Sequence, residues 1–274
     1  MYVLRAKVKI TDASDEIISL GLSGANAQEI LHEQFGELPQ EQLTLTVRPD
    51  PSTVLRTKGL VEGEDSISEK ASTGSARTDI LIDSVLRISD TRLQINTTAQ
   101  HAPALWEILS RHAQPVGSGC WDWLNIRSGI PVILPQTQEQ FVAQMVNFDL
   151  IGGVNFKKGC YPGQEIVARM QYLGKLKRRM YLAHLGYLAY LDSSDTPQAG
   201  DELFSADDEN QLSRHRMEGQ ASGMIVNAAP APSGGYDVLA TVQIASRETQ
   251  AVHWKSLQGE ALQFLPLPYS LPNA

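Results

Sequence analysis

Short runs in which apolar and polar residues alternate, interrupted by only two helical patterns, limit most strongly what residues 1–113 can fold into. Alternation with a period of two is typical of strands, whereas apolar residues spaced three and four apart predict helices. This mixture predicts an α+β domain with helices packed on one face of a largely antiparallel sheet. The predicted strands are KVKIT, IISLGL, LTLTV, SVLRIS and RLQINTT, and the predicted helices are NAQEILHEQF and APALWEILSRH.

Three further segments complete the predicted organisation. Residues 49–79 are rich in Ser, Thr, Gly and acidic residues and lack periodicity, which predicts a mobile surface insertion. Residues 114–172 carry the stretches CWDWLNIRSGI and KKGCYPGQE. Residues 173–274 contain short strand-like runs between turn clusters such as APAPSGGYD, and this pattern predicts a small all-β barrel or sandwich.

Composition excludes several classes of protein. A chain of 274 residues with 42% hydrophobic and 20% charged residues predicts a globular protein of about two domains. No apolar run approaches the roughly 20 residues that cross a bilayer, and the charged start MYVLRAKVKITD does not resemble a signal peptide. We therefore expect a cytoplasmic protein with no membrane partner.

The motifs of common enzymes and metal sites are missing. The two cysteines lie forty positions apart, and the six histidines show no i,i+4 pair, so the sequence predicts no metal site built by this chain alone. There is no phosphate-binding GxxxxGK[ST] motif, and GLSGA does not match the turn that carries a catalytic serine. These patterns argue against a zinc enzyme and against a hydrolase.

Positive charge is concentrated in one part of an acidic chain. The net charge of −8 argues against non-specific coating of nucleic acid. Residues 157–179 nevertheless hold one acid and seven basic residues, a local net charge of +6. A solvated helix face followed by a basic strand is the simplest interpretation, and an anion-binding surface is the alternative. The basic residues are Lys157, Lys158, Arg169, Lys175, Lys177, Arg178 and Arg179.

Cys160 lies within this basic segment, in KKGCYPGQEIVARMQYL. Proline is favoured at the first helical position, so we expect a helix to begin at Pro162 and to place the thiol at its N-terminus. The helix dipole and the neighbouring lysines would lower the pKa of the thiol and favour a reactive or ligating thiolate. A buried, inert cysteine in a tight turn is the alternative. Cys120, in an apolar stretch beside Trp121, is expected to have none of these aids.

The segment KKGCYPGQEIVAR resembles the K-G-C-Y-x-G-Q-E signature of YgfZ-type folate-binding proteins, which are related to the aminomethyltransferase of the glycine cleavage system. The resemblance extends through NIRSGIPVI, GGVNFKKGCY, GKLKRR and the terminal PLPYSL. It implies a ferredoxin-like α+β domain, a C-terminal small β-barrel and a central folate-binding channel. It also implies tetrahydrofolate, or a derivative, as cofactor, and support of iron–sulfur cluster assembly or repair, with tRNA thiolation as the downstream process.

The resemblance assigns roles to individual residues. Cys160 becomes the functional thiol and a ligand of a transient iron–sulfur cluster shared with a partner. Trp121 occupies the position of a folate-contacting tryptophan; the alternative is that Trp121 and Trp123 are both core residues. Basic side chains would meet the glutamate tail of folate or the phosphates of RNA. The predicted cofactor-binding residues are Trp121, Lys158, Gly159, Tyr161, Gly163, Gln164, Glu165, Arg169, Lys175 and Lys177.

Two departures from the family pattern lead to the expectation of weak folate binding. Arg127 in NIRSG replaces a glutamate that would hydrogen-bond the pterin, and the chain begins partway through the pattern, without the upstream part of the channel wall. We therefore expect a non-enzymatic accessory protein whose partners are iron–sulfur proteins or assembly factors. A folate-dependent aminomethyltransferase is the first alternative, and an RNA-binding module is the second.

Overall fold

Two compact units, Met1–Pro115 and Val116–Ala274, make up the chain in a computed structural model. The predicted strand KVKIT and the predicted insertion at 49–79 lie outside the described residues. The structure describes residues 12–35, 45–47, 82–156, 159, 161, 163–186, 196–205, 221–249 and 251–272, of which 45–47 and 249 are described by their backbone alone.

The described part of the first unit is a four-stranded sheet with two helices. Its strand order is β1-β4-β3-β2, and every neighbouring pair is antiparallel. The four strands and two helices predicted here are confirmed, with ends that differ by no more than two residues. The elements are β1 (Ile17–Ser23), α1 (Ala27–Phe35), β2 (Leu45–Val47), β3 (Ser84–Ser89), β4 (Arg92–Thr98) and α2 (Ala102–Ser110).

Both helices of the first unit share one core with the sheet. Helix α1 buries one stripe, Ala27, Leu31 and Phe35, because residues four apart lie on the same face of a helix. Strand β4 buries Leu93 and Ile95 on one face, since side chains two apart in a strand point the same way. These residues form a single cluster with side chains of β1, β3 and α2. The helices therefore cover one face of the sheet, as the pattern predicts.

The second unit contains a six-stranded antiparallel sheet of order β10-β5-β8-β7-β6-β9. Two helices precede this sheet along the chain, and a short helix lies within it. Single turns of 3-10 helix occur at Pro135–Thr137 and Ala143–Val146. The elements are α3 (Ser118–Arg127), α4 (Gln164–Tyr172), β5 (Arg178–Leu185), β6 (Glu202–Ser205), β7 (Gly223–Pro230), β8 (Tyr236–Gln243), α5 (Ile244–Thr249), β9 (Val252–Trp254) and β10 (Gln263–Leu265).

The central strands β5 and β8 serve two separate cores. On one face, Ala183 and Val238 belong to a cluster inside the sheet. On the other face, Leu182 and Leu239 pack with Ile126 of α3 in a second cluster. Because both faces are covered, these strands read as nearly continuous apolar runs instead of alternating ones. The predicted segments 114–172 and 173–274 thus contribute to one shared core.

Backbone hydrogen bonds also connect the two edges of this sheet. The amide of Leu262 donates to the carbonyl of Val252 at 2.8 Å, and the amide of Trp254 donates to the carbonyl of Glu260 at 2.9 Å. The paired segment 260–262 leads directly into β10, the strand at the opposite edge. The sheet therefore curls toward closure, which removes unpaired edge groups.

The mixed helix-and-strand class predicted from sequence is confirmed. The narrower assignments, a ferredoxin-like first domain and a small C-terminal barrel, stay predictions, as do the predicted domain boundaries. Within the described ranges, none of the helices combines the length and apolar character needed to cross a bilayer.

The C-terminal segment is attached to the second unit through Tyr269. Its hydroxyl donates to the carbonyl of Gly129 at 2.8 Å and accepts from the Nδ2 of Asn147 at 3.2 Å. Gly129 has φ +65°, and a Cβ atom there would lie 2.6 Å from Cε1 of Tyr269. Position 129 is therefore restricted to glycine by both its backbone and its neighbour.

Replacing Tyr269 with phenylalanine should lower the free energy of unfolding at neutral pH by about 1–2 kcal/mol, because the two hydrogen bonds are lost. Burial raises the pKa of Tyr269 above its usual value of 10.0, so the folded protein favours the neutral phenol. The stability that this preference contributes is full below pH 10 and is lost as pH rises above it. Urea unfolding at increasing alkaline pH should therefore show a steeper decline in the parent than in Tyr269→Phe; parallel declines would contradict this role.

Candidate functional site

A buried carboxylate organises a polar network where α3 packs against the second sheet. Asp237 of β8 is only 4% exposed. Its Oδ2 accepts a hydrogen bond from the indole Nε1 of Trp123 at 2.8 Å, and its Oδ1 lies 2.8 Å from Nδ1 of His184. An ionised carboxylate can only accept, so the proton of this second bond belongs to Nδ1 of His184. The guanidinium of Arg127 lies 3.6 Å from Oδ2 and completes the network.

Local geometry explains why these four residues meet. Trp123 and Arg127 are four apart on α3 and therefore project from the same face of the helix. His184 and Asp237 are directly opposite each other in the pairing of β5 with β8. Gln263 of β10 is opposite His184 in turn, so a polar row crosses three strands. The helix face and the row of the sheet together form one wall.

This wall borders a cavity of about 370 Å³. The cavity combines the flat indole of Trp123 and the ring of Pro232 with hydrogen-bond donors and acceptors. Such a mixture is typical of sites that bind a small molecule in a fixed orientation. The lining residues are Trp123, Arg127, His184, Pro232, Ser233, Asp237, Gln263 and Leu265.

Asp237 and His184 are site residues that the sequence analysis did not select. The signal for Asp237 was a single acid inside the apolar strand YDVLATV, since a charge in a buried strand needs partners. Arg127 was selected as the replacement of a carboxylate. The structure shows that it lies beside the carboxylate of Asp237, supplied by a different element.

Trp121 and Trp123 occupy different sides of α3. Two residues along a helix correspond to a rotation of about 200°, so the two indoles point nearly opposite ways. Trp123 lines the 370 Å³ cavity, and Trp121 is half-buried and is not among the residues that line it. The predicted contact between Trp121 and folate stays a prediction.

The predicted cysteine motif is described only in part. Lys157, Lys158, Cys160 and Pro162 lie outside the described residues. Gly159 and Tyr161, the neighbours of Cys160, are both exposed.

The helix predicted after this motif is present and begins at Gln164, two residues after the predicted start at Pro162. Gly163 occupies the N-cap with φ +83°, a left-handed conformation that glycine adopts without strain. The side-chain Oε1 of Gln164 accepts the backbone N–H of Tyr161 at 3.2 Å. Gln164, predicted to bind cofactor, therefore also holds the turn that follows Cys160.

The basic segment divides into exposed and internally paired side chains. Arg169, Lys175 and Lys177 are exposed, as is Glu165 on the first turn of α4. Arg179 is buried instead and makes a bidentate contact with Asp149, with distances of 2.9, 3.1 and 3.2 Å.

Arg178 is also engaged internally and donates to the carbonyl of Ala221 at 2.7 Å. Arg178 and Arg179 therefore bond to groups outside the segment 157–179, which the local net charge of +6 does not take into account. Among the described residues of the segment 157–179, the positive charge available to a ligand or partner is confined to the side chains of Arg169, Lys175 and Lys177.

Cys120 has an environment different from the predicted one. It is an exposed thiol in the first turn of α3, two residues after the start of the helix at Ser118. The expectation that Cys120 lacks a helix N-terminus is therefore wrong. It lines a smaller apolar cavity of about 280 Å³, to which Trp123 also contributes. Among the described residues, no group of three or more His, Cys, Asp or Glu side chains is arranged to hold a metal ion.

Together the fold and site define a mixed helix-and-strand protein with a polar cavity between a helix and a curled antiparallel sheet. Its sequence is 29% identical over 270 residues to the tRNA-modifying protein YgfZ of Enterobacter sp. (strain 638), covering 98% of this chain and 69% of the relative. It is also 29% identical over 282 residues to the tRNA-modifying protein YgfZ of Cronobacter sakazakii (strain ATCC BAA-894), covering 100% and 70%. The resemblance to YgfZ-type proteins is confirmed by these alignments. No family model matches the sequence.

A comparison with solved structures gives a weaker likeness. The chain resembles the glycine cleavage system aminomethyltransferase T from Bartonella henselae with a TM-score of 0.29 and 12% identity, covering 92% of this chain and 83% of that one. At this score the likeness carries no argument about fold or activity.

Proposed function

We propose that the protein is a folate-binding accessory protein that supports iron–sulfur cluster assembly or repair and, through iron–sulfur enzymes, tRNA modification. The observation that carries this proposal is the alignment of nearly the whole chain with proteins named for tRNA modification. The contiguous KGCYPGQE segment supports the same role. The iron–sulfur cluster is the cargo in this proposal, ligated by Cys160 together with a partner protein.

The cavity beside Trp123 supports the folate part of the proposal. A pterin is a flat bicyclic ring with donors and acceptors along its edge. The indole of Trp123 offers a stacking surface worth about 0.5–1.5 kcal/mol beyond area burial. Asp237 fixes the indole, and Arg127, Gln263 and Ser233 add polar groups around it. A carboxylate is therefore present in this cavity although position 127 is an arginine.

A matched pair of tryptophan variants tests this placement. Tetrahydrofolate should quench the tryptophan fluorescence of the parent, and Trp123→Phe should remove most of that quenching, because residue 123 lines the cavity. Trp121→Phe, two positions away on the same helix, should retain it. The titration needs a parallel series with free tryptophan, since folates absorb the exciting light.

The outcomes of this titration separate the two sites. If only Trp121→Phe loses the quenching, the folate contact belongs to Trp121, the residue that the sequence indicates. Unchanged quenching in both variants would contradict binding beside α3. Absence of saturable quenching in the parent would contradict folate binding altogether.

The remaining assignments follow from the same proposal. We place the protein in the cytoplasm, with iron–sulfur proteins or assembly factors as partners, and interpret the curled sheet as the small C-terminal barrel. The exposed basic residues Arg169, Lys175 and Lys177 support binding of the anionic folate tail or of tRNA. A salt-dependent shift of tRNA on a gel would favour RNA binding. Consumption of tetrahydrofolate with an aminomethyl donor would identify an aminomethyltransferase instead.

A further inference from the structure

A second cavity, of about 590 Å³, lies in the second unit and shares only Leu265 with the lining of the cavity beside Trp123. Tyr181 of β5 reaches it from the inner face of the sheet, where Ala183 and Leu185 of the same strand form the inner core. The cavity is thus located at one end of that core, and the mouths of curled sheets are a frequent position for ligand sites. Leu267 and Leu271 of the C-terminal segment provide an apolar wall.

Three charged side chains line this cavity: Arg179, Arg247 and Glu248. The charge of Arg179 is already balanced, because its guanidinium contacts both carboxylate oxygens of Asp149. It also donates to the carbonyl of Gln144 at 2.7 Å. Arg179 is therefore part of the framework and has little capacity left for a ligand.

Arg247 is held in a different way. Its Cζ lies 5.5 Å from the ring centroid of Tyr181 and 5.4 Å from that of Phe264. The two rings are 5.8 Å apart in an edge-to-face arrangement and form one aromatic support. A cation over aromatic faces is stabilised through the plane of its guanidinium, which leaves N–H groups at its edge available to an anion.

Arg247 and Glu248 are consecutive residues of α5, and neither forms an ion pair within 4.0 Å with any of the described residues. The cavity therefore offers one cation and one anion beside an apolar wall. A purely anionic ligand would meet the carboxylate of Glu248, and a purely cationic one would meet the guanidinium of Arg247. A molecule that carries both charges on an apolar body satisfies all three features.

We propose that this cavity binds a free α-amino acid with an aliphatic side chain. The carboxylate of the ligand pairs with Arg247, the ammonium group pairs with Glu248, and the side chain lies against Leu267 and Leu271. The site is separate from the cavity beside Trp123 and does not depend on folate binding.

Three small molecules of nearly equal apolar size test the proposal on the full chain. Leucine carries both charges, 4-methylpentanoate lacks the ammonium group, and 3-methylbutylamine lacks the carboxylate. Leucine should bind about tenfold more tightly than either analogue, the difference expected for one charge-assisted hydrogen bond. Binding is measured by NMR from ligand-dependent shifts of the arginine Nε–Hε signals.

Charge-removing variants assign the two contacts. Arg247→Gln should weaken leucine binding about tenfold and improve the binding of 3-methylbutylamine, because the like charge is removed. Glu248→Gln should weaken leucine to a similar extent and improve the binding of 4-methylpentanoate. Arg111→Gln, which removes an exposed arginine of the first unit, is the matched control and should change nothing. If Arg247→Gln unfolds, Arg247→Lys keeps the positive charge and should retain leucine binding at reduced affinity.

Equal affinities for the three molecules, no saturable shifts with leucine, or an equal effect of Arg111→Gln would each overturn the proposal. Arg247 would then only cover the aromatic rings of the core. Folate titration of the same variants keeps the two proposals distinguishable, because none of these substitutions touches the cavity beside Trp123.

Discussion

Substituting alanine for Asp237 should lower the free energy of unfolding of the second unit by about 2–4 kcal/mol. The carboxylate is buried and accepts hydrogen bonds from Trp123 and His184, and it also neutralises Arg127. Without it, the indole N–H and the imidazole lose their acceptor while still enclosed by protein. Leaving a buried donor unpaired costs more than the intact bond contributes, so the loss is large for one small side chain.

Urea unfolding followed by tryptophan fluorescence measures this effect. Asp122→Ala is the matched control, because Asp122 is exposed on the same helix as Trp123, and it should change stability by less than about 0.5 kcal/mol. Trp123→Phe combined with Asp237→Ala should be less destabilising than the sum of the single variants, since both remove the same bond. Additive effects, or an Asp237 variant as stable as the Asp122 control, would show that the network does not hold the unit together.

The helices and strands of the first unit could be predicted from sequence because each is defined by the spacing of apolar residues within its own segment. The spacing of Ala27, Leu31 and Phe35 is sufficient to define a helix with one buried stripe. The alternation in RLQINTT likewise determines which side of β4 is buried. The sheet order β1-β4-β3-β2 does not follow from these patterns, because pairing depends on contacts between segments far apart in the chain.

The polar network of the second unit could not be found by local patterns for the same reason. Trp123 and Asp237 are 114 positions apart, and only the register of β5 with β8 brings His184 into line with them. Counting charges along residues 157–179 similarly missed Asp149, which lies 30 positions from Arg179 and neutralises it. A charge acquires its role from its partners, and the partners are determined by tertiary packing.

The start of α4 shows competition between two local rules. Proline at the first helical position predicts a helix from Pro162, but the helix begins at Gln164. Gly163 takes a left-handed conformation as the N-cap, and the side chain of Gln164 closes the preceding turn onto Tyr161. The N-cap glycine and the side-chain hydrogen bond of Gln164 therefore determine where the helix begins, and the preference of proline for the first helical position does not.

Replacing Cys160 with serine should abolish the support of iron–sulfur enzymes in cells while changing the free energy of unfolding by less than about 0.5 kcal/mol. The thiolate is the ligand in our proposal, and a serine hydroxyl is a poor substitute for it. A reactive, accessible thiol, as the sequence predicts for Cys160, contributes little to core packing. The activity of an iron–sulfur enzyme and the urea unfolding midpoint are the two measurements.

Cys120→Ser is the matched control, because Cys120 is the other cysteine and is exposed. It should leave enzyme support intact. The Cys120→Ser variant is also the protein in which alkylation is measured. Cys120 is exposed, so in the parent it would be labelled together with Cys160. In the Cys120→Ser variant, iodoacetamide should label Cys160 rapidly at neutral pH, because the sequence places lysines beside it. If Cys160 reacts only after unfolding, and Cys160→Ser is destabilised by several kcal/mol, the thiol is a packing residue and the functional role assigned to it is wrong.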